Sequence, residues 1–348
     1  MKSNILILFC CFLFLASCQA SFIEEYTLLP HPVDIKYIPG MVKLKTQPTL
    51  VYPGELANEA LLLQCYLSSD FSVQATLKKN KKKGDIILQL DPAVLPEQAE
   101  GYILDATSGN IVLKANSPAG ILNAIQTFRQ VLKVKDGRLI VQKSTLTDYP
   151  VFSWRAFMLD EGRYFKGKEV VFDLLDEMAA LKMNVFHWHL TDDQGWRIEI
   201  KKYPKLTEIG AWRDSSEIDH FGSNRYDGRR HGGFYTQEEI KEVVDYAAKR
   251  NITVIPEIEM PGHASAAIAA YPWLGTSGKQ IKVPGKFGVQ YDIFNVADPR
   301  VIHFLNDVMD EVISLFPAPI FHVGGDEVRY NQWKGSALVR EYMRKNDL

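Results

Sequence analysis

From Asp148 onward, short apolar runs alternate with amphipathic helical patterns, and that rhythm restricts the fold more than any other feature of the sequence. Trp154–Asp160, Asn184–Leu190, Ile252–Glu259 and the run from Pro319 to Glu327 read as strands, the last one short, apolar and ended by two glycines. Between them, Lys168–Met183 sets Val171, Leu174, Leu175, Met178 and Leu181 on one helical face. Thr236 and Glu239 make a capping box for a helix running to Arg250, with Ile240, Val243, Val244 and Ala247 inward and Asn251 suited to end it. Asp298 and Pro299 open a third helix carrying Ile302, Leu305, Val308, Met309 and Val312, which Pro317 stops; Trp333–Asn346 supplies a fourth. Repeated strand–helix units imply a parallel sheet with right-handed crossovers, and long insertions after strand ends imply a barrel whose loops build a site. The expectation is an α/β fold: a (β/α)8-type TIM barrel over residues 148–348, truncated after about four βα units and so C-terminally incomplete.

Residues 22–147 read differently. Asp85–Leu90 is an apolar strand, Ser108-Gly109 turns a hairpin between 102–104 and 111–113, and Ser117-Pro118 caps one late helix. Its face is Ile121, Leu122, Ile125, Phe128, Val131 and Leu132. No catalytic constellation occurs there, so a small α+β non-catalytic domain is expected. At 46% hydrophobic and 24% charged, 348 residues can bury two cores. A formal charge of -2 provides no basic surplus for phosphates, which argues against a nucleic-acid partner. The Lys78–Lys83 run is local and ends in Gly84-Asp85, as a solvated turn does.

Residues 1–17 read as a lipoprotein-type signal peptide: Lys2, the apolar stretch Ile5–Leu15, then small residues before a cysteine. The apolar stretch is too short to span a bilayer, which takes about 20 residues. Leu15-Ala16-Ser17-Cys18 resembles the lipobox of bacterial lipoproteins, which implies lipidation of Cys18 and membrane association only through that anchor, in the periplasm or outer membrane of a Gram-negative bacterium. Of four cysteines, only Cys65 would then remain free, leaving no disulfide and no cysteine cluster for metal.

Barrel chemistry sits at the C-terminal strand tips, and those tips concentrate polar residues. They are Arg155 and Asp160, with Arg163, from the first strand; His187, His189, Asp192 and Asp193 from the second; Glu257, Glu259 and His263 from the third; His322, Asp326 and Glu327 from the fourth. Gly324 and Gly325 let the backbone leave the pleat, so Asp326 and Glu327 can face one site, one as an acid and its neighbour as an anion. The bland alternative is a solvated pair capping the next helix. His187 and His189 share a face and, with Asp192, raise the question of a metal; with no third ligand at standard spacing, none is assigned. Trp188, Trp196, Trp212 and Trp273 offer faces for sugar stacking, though buried core is the commoner fate of such residues.

Several runs resemble one family: Phe152-Ser153-Trp154-Arg155, Leu159-Asp160, Met183 through Arg197, Pro256 through Ala264, and His322 through Glu327. They are similar to the β-N-acetylhexosaminidases of glycoside hydrolase family 20, and Ser117-Pro118-Ala119-Gly120 is similar to that family's small domain. The resemblance implies an exo-acting enzyme acting on N-acetylhexosamine-terminated glycans, without cofactor, by substrate-assisted retaining catalysis. It implies Glu327 as general acid and base and Asp326 as partner of the substrate acetamide. It also implies Arg155 as holder of sugar hydroxyls, with Asp192, His263 and Glu259 orienting the sugar or tuning Glu327. Two competing readings stand beside it: a non-catalytic surface glycan-binding remnant, and a metal-dependent hydrolase built on His187 and His189.

Overall fold

The computed structural model describes residue 23 and residues 25–348; the leader and Cys18 lie outside the described residues. The first unit contains β1 (Asp34–Lys43), β2 (Thr49–Tyr52), α1 (Ala57–Phe71), β3 (Thr76–Lys79) and β4 (Ile86–Leu90). It continues with β5 (Tyr102–Asp105), β6 (Ile111–Ala115), α2 (Pro118–Val131), β7 (Lys133–Lys135) and β8 (Arg138–Asp148). The strands form one mixed sheet in the order β1-β8-β5-β6-β4-β2-β3, with β7 paired to β8. Alternation along β4 and β6 buries Ile86 and Leu88, Ile111 and Leu113 in a core shared with Ile121, Ile125 and Phe128 of α2. The Ser117 side chain accepts the Gly120 N–H, and Pro118 begins α2 without a lost bond. One helix was missed by periodicity. In α1 the consecutive leucines 61 to 63 scatter apolar character around the axis, yet only Ala60, Leu63, Tyr66 and Leu67 keep the buried spacing.

The second unit opens with β9 (Ala156–Asp160), α3 (Lys168–Ala180) and β10 (Val185–His189). Two-residue strands β11 (Thr191–Asp192) with β12 (Gly195–Trp196), and β13 (Trp212–Arg213) with β14 (His231–Gly232), pair within the insertion after β10, which also holds α4 (Lys205–Glu208). Then come α5 (Gln237–Ala248), β15 (Thr253–Glu257), α6 (Ser265–Ala270), α7 (Pro299–Leu315), α8 (Asn331–Gly335) and α9 (Ala337–Lys345). Strand β10 lies between β9 and β15, all parallel. Along β10, Phe186 and Trp188 join the core with α3, α5 and α7, while His187 and His189 take the opposite face. The capping box of Thr236 with Glu239 starts α5 as the sequence indicates, and the Asp298 carboxylate caps α7.

The expectation of a fourth strand in the run from Pro319 needs correction. The fourth segment is not a full strand: His322 forms a single parallel bridge with Glu257. His322 donates its N–H to Pro256 and accepts from Ile258, and Met260 donates to Val323. Pro256 has no N–H to give, so the ladder cannot continue toward Ile320; at the other end Gly324 and Gly325 adopt positive φ and leave the sheet.

The two units meet beneath the sheet. Lys182 Nζ lies 2.8 Å from both Asp148 Oδ2 and Tyr102 Oη, and Asn184 donates to Glu100 at 2.9 Å. Arg155 pairs with Glu100 and donates to the carbonyls of Lys182 (2.6 Å) and Phe152 (2.7 Å). No helix among the described residues is long and apolar enough to cross a membrane.

Candidate active site

Parallel register sets the level of the site. Asp160, His189, Glu257 and His322 are successive neighbours in one row across β9, β10, β15 and the bridged segment. Loops leaving that row therefore start side by side.

The buried Asp192 carboxylate gathers three basic groups: Arg163 Nη2 at 3.0 Å, His263 Nδ1 at 3.3 Å and His189 Nε2 at 3.6 Å. Arg163 is held from its other side by Asp160, which accepts both its backbone N–H and its Nη1. Burial works against the Arg163 charge, but Asp192 and Asp160 outweigh it and raise its pKa. Asp193 points the other way: its carboxylate accepts the Ser265 N–H (3.1 Å) and hydroxyl (2.6 Å) and the Gln290 N–H (3.2 Å), and Oδ2 is 3.3 Å from His263 Nδ1.

His263 is the bridge. Its side chain is 2% exposed; beyond the Asp192–Asp193 pair on Nδ1, its Nε2 lies 3.7 Å from Asp326 Oδ2 and 3.6 Å from Glu327 Oε2. Asp192 and then Asp193 push its pKa up to about 11, against burial, so the ring is an imidazolium at neutral pH. Asp326 and Glu327 are 58% and 56% exposed, so both reach an open surface while touching one buried cation. Glu259 supports the pair from beneath. Its N–H donates to Thr191 Oγ1 at 2.8 Å, and its carboxylate is 3.5 Å from His189 Nε2. Burial raises the Glu259 pKa, with His189 opposing and Glu257 and Asp326 reinforcing. A Cβ on Gly324 would lie 1.7 Å from Glu259 Oε2, so this glycine is the space into which Glu259 fits.

Of the residues singled out in the sequence, Asp192, His263, Glu259, Asp326 and Glu327 come together, and Arg155 does not. It precedes the first residue of β9, five residues before the tip at Asp160, or about 16 Å along the strand. Arg163, just past the tip, is the arginine at the rim, one-third exposed; the direction of the strand alone could have selected it. Arg197 also went without a role. Fully buried, it donates to the carbonyls of Ala211 (2.6 Å), Glu161 (2.9 Å), Gly162 (3.0 Å), Gly233 (3.2 Å) and Gln194 (3.4 Å), tying the loops behind the site together. Burial pulls its pKa down to about 9. Gly195 makes room for it, since a Cβ there would fall 2.1 Å from the guanidinium.

Trp188 and Trp196 are core, the latter donating its Nε1–H to the Ile198 carbonyl, and Arg230 lies over the Trp212 ring. Among the described residues, no grouping of metal-type ligands takes both His187 and His189; His187 instead groups with Glu257 and His322.

The arrangement offers two solvent-reaching carboxylates backed by a buried cation, beside an arginine suited to hydroxyls or anions. Comparison with known proteins fits it. "Glycosyl hydrolase family 20, domain 2" matches residues 25–149, and "Glycosyl hydrolase family 20, catalytic domain" matches residues 152–348. A beta-hexosaminidase of Porphyromonas gingivalis is 38% identical over 97% of the chain and 44% of its own length. One of Vibrio furnissii is 43% identical over 74% of the chain and 42% of its length. The crystal structure of a GH20 exo beta-N-acetylglucosaminidase from Vibrio harveyi, in complex with N-acetylglucosamine, superposes with a TM-score of 0.81 at 33% identity, covering 94% of the chain and 51% of that protein. The chain thus spans about half the length of these relatives. The reading of a catalytic barrel cut short after about four βα units is corrected by these matches: the catalytic-domain profile runs through residues 152–348, and where a sequence stops does not say where a domain does. With both profiles matched in order and a relative 38% identical over 97% of the chain, the chain belongs to glycosyl hydrolase family 20.

Proposed function

We propose that the protein is an exo-acting β-N-acetylhexosaminidase, removing terminal non-reducing N-acetylglucosamine or N-acetylgalactosamine from glycans by substrate-assisted retaining catalysis. The observation that carries this reading is the convergence of Asp326 and Glu327 on the buried His263 at the rim. Glu327 donates a proton to the glycosidic oxygen as the C1–O bond breaks, and the substrate's own acetamido carbonyl oxygen bonds to C1, giving an oxazolinium ion. Asp326 accepts the acetamide N–H and balances the positive charge that forms there. The Glu327 carboxylate then takes a proton from water as the water oxygen bonds to C1 and the bond from C1 to the acetamido oxygen breaks, regenerating the acetamide with the starting configuration. His263, clamped by Asp192 and Asp193, holds both carboxylates in register. Arg163, rather than Arg155, takes the sugar hydroxyls, supported by Asp160 and Asp192.

The test pairs a chromogenic N-acetylglucosaminide assay with calorimetry on N-acetylglucosamine. Turnover that Glu327→Gln abolishes supports the reading; sugar binding without turnover selects the glycan-binding remnant instead. The same reading places the protein outside the cytoplasm as a lipoprotein, on the strength of Lys2, the apolar Ile5–Leu15 and Cys18. Metabolic labelling with palmitate that Cys18→Ser does not reduce would remove the anchor from the proposal.

A further inference from the structure

Below the rim lies a second cluster that the reaction above leaves unused. His187 Nε2 is 2.7 Å from Glu257 Oε2, and His322 Nδ1 is 2.8 Å from Glu257 Oε1. The imidazole centroids are 5.0 Å apart, and one ligand-type atom from each of the three residues lies within 4.8 Å of the others. His187 Nε2 is buried without a hydrogen-bond partner in line with it, despite the nearby oxygen. His322 Nδ1 accepts the Gly324 N–H at 3.1 Å, so its lone pair is exposed to Gly324 and it has no proton to give Glu257. Two electron-rich atoms 2.8 Å apart favour a cation between them.

We propose that His187, Glu257 and His322 form a binding site for a first-row transition-metal dication such as Zn2+. Two imidazole nitrogens and one carboxylate are a donor set that Zn2+ accepts, with the fourth position left for water from the half-exposed side of His322. Tetrahedral ligation at about 2.0–2.1 Å separates ligand atoms by about 3.3 Å, so each histidine–carboxylate distance needs to open by only about half an ångström. Binding takes from His322 Nδ1 the lone pair that Gly324 uses, and so loosens the segment that carries Asp326 and Glu327. The metal therefore inhibits. That consequence rests on the hydrolase reading, whereas the binding does not.

Calorimetry with ZnCl2 and visible absorption with Co2+, on the full chain carrying Cys65→Ser to remove the exposed thiol, test the site. One saturable site is expected, with the strong absorption of four-coordinate Co2+. His187→Ala and His322→Ala should each weaken Zn2+ affinity at least about tenfold, and His187→Gln replaces the alanine variant if melting shows that it fails to fold. No saturable binding, or affinity that both variants keep, overturns the proposal. Should the chain prove inactive on chromogenic substrate, the calorimetric result still decides the site; should it be active, Zn2+ should slow the parent and spare the His187 variants.

Discussion

The two ends of the β9–β10 sheet treat charge in opposite ways. At the lower end Arg155 faces Glu100 and Lys182 faces Asp148, cation matched to anion at direct hydrogen-bond contact across the seam between the two units. At the upper end Arg163, His189 and His263 stand among six carboxylates, those of Asp160, Asp192, Asp193, Glu259, Asp326 and Glu327, and the contacts these two imidazoles make are 3.3 Å or longer. Matched pairs shielded from most solvent can hold two surfaces in one register. An excess of carboxylates around too few cations is left incomplete, and fits a site where a proton and a developing positive charge arrive with the substrate.

The sharpest way to break that contrast is Glu327→Gln, which should lower kcat on a chromogenic N-acetylglucosaminide by about 10²–10⁴-fold without changing the melting temperature. A variant that keeps its rate would return the upper end to the status of ordinary surface charge. Next, Lys182→Met should leave Asp148 unpaired in the seam and cost roughly 3 kcal/mol, read as a lower denaturation midpoint, with much of the loss recovered in Lys182→Met/Asp148→Asn. If the single and double variants are equally unstable, the seam is not held by that pair. A third comparison sets the two arginines against each other. Arg163→Met should lower kcat/KM by about 10–100-fold, while Arg155→Met should destabilise by roughly 2 kcal/mol and leave turnover of the folded fraction unchanged. The reverse result would move the sugar-holding role to the seam.

A further effect is in pH. Because the folded-state pKa of His263 is raised to about 11, its contribution to stability is fully present below the unfolded value of about 6.5 and is lost as pH climbs toward 11. Denaturant midpoints at pH 6, 8 and 10 should therefore fall more steeply for the parent than for His263→Gln. Parallel slopes would mean that the Asp192–Asp193 clamp does not hold a charged ring.

What the sequence made legible was mostly local. The Ser117 cap, the Thr236–Glu239 box and the Asp298-Pro299 start each depend on residues within three positions, and all three form. The strand tips were readable too, because β direction fixes which end faces the loops, and five of the six residues expected to act on substrate meet there. Arg155 stands apart from the other five because a motif names residues without giving their height along the strand; counting from Asp160 separates it from Arg163. The incomplete fourth strand turns on Pro256 in its neighbour, a cross-strand effect with no trace in the run Pro319–Val323 itself. The carbonyls gathered by Arg197 come from residues as far apart in the chain as Glu161 and Gly233, a set that only the folded loops define.

Glu259 occupying the volume above Gly324 ties together two positions 65 residues apart in the chain. Neither can drift alone: a methyl at 324 displaces the acid, and its φ of 65° already disfavours any residue with a side chain. A library randomised at both sites should thus return active clones only where 324 stays glycine, whatever acid is sampled at 259.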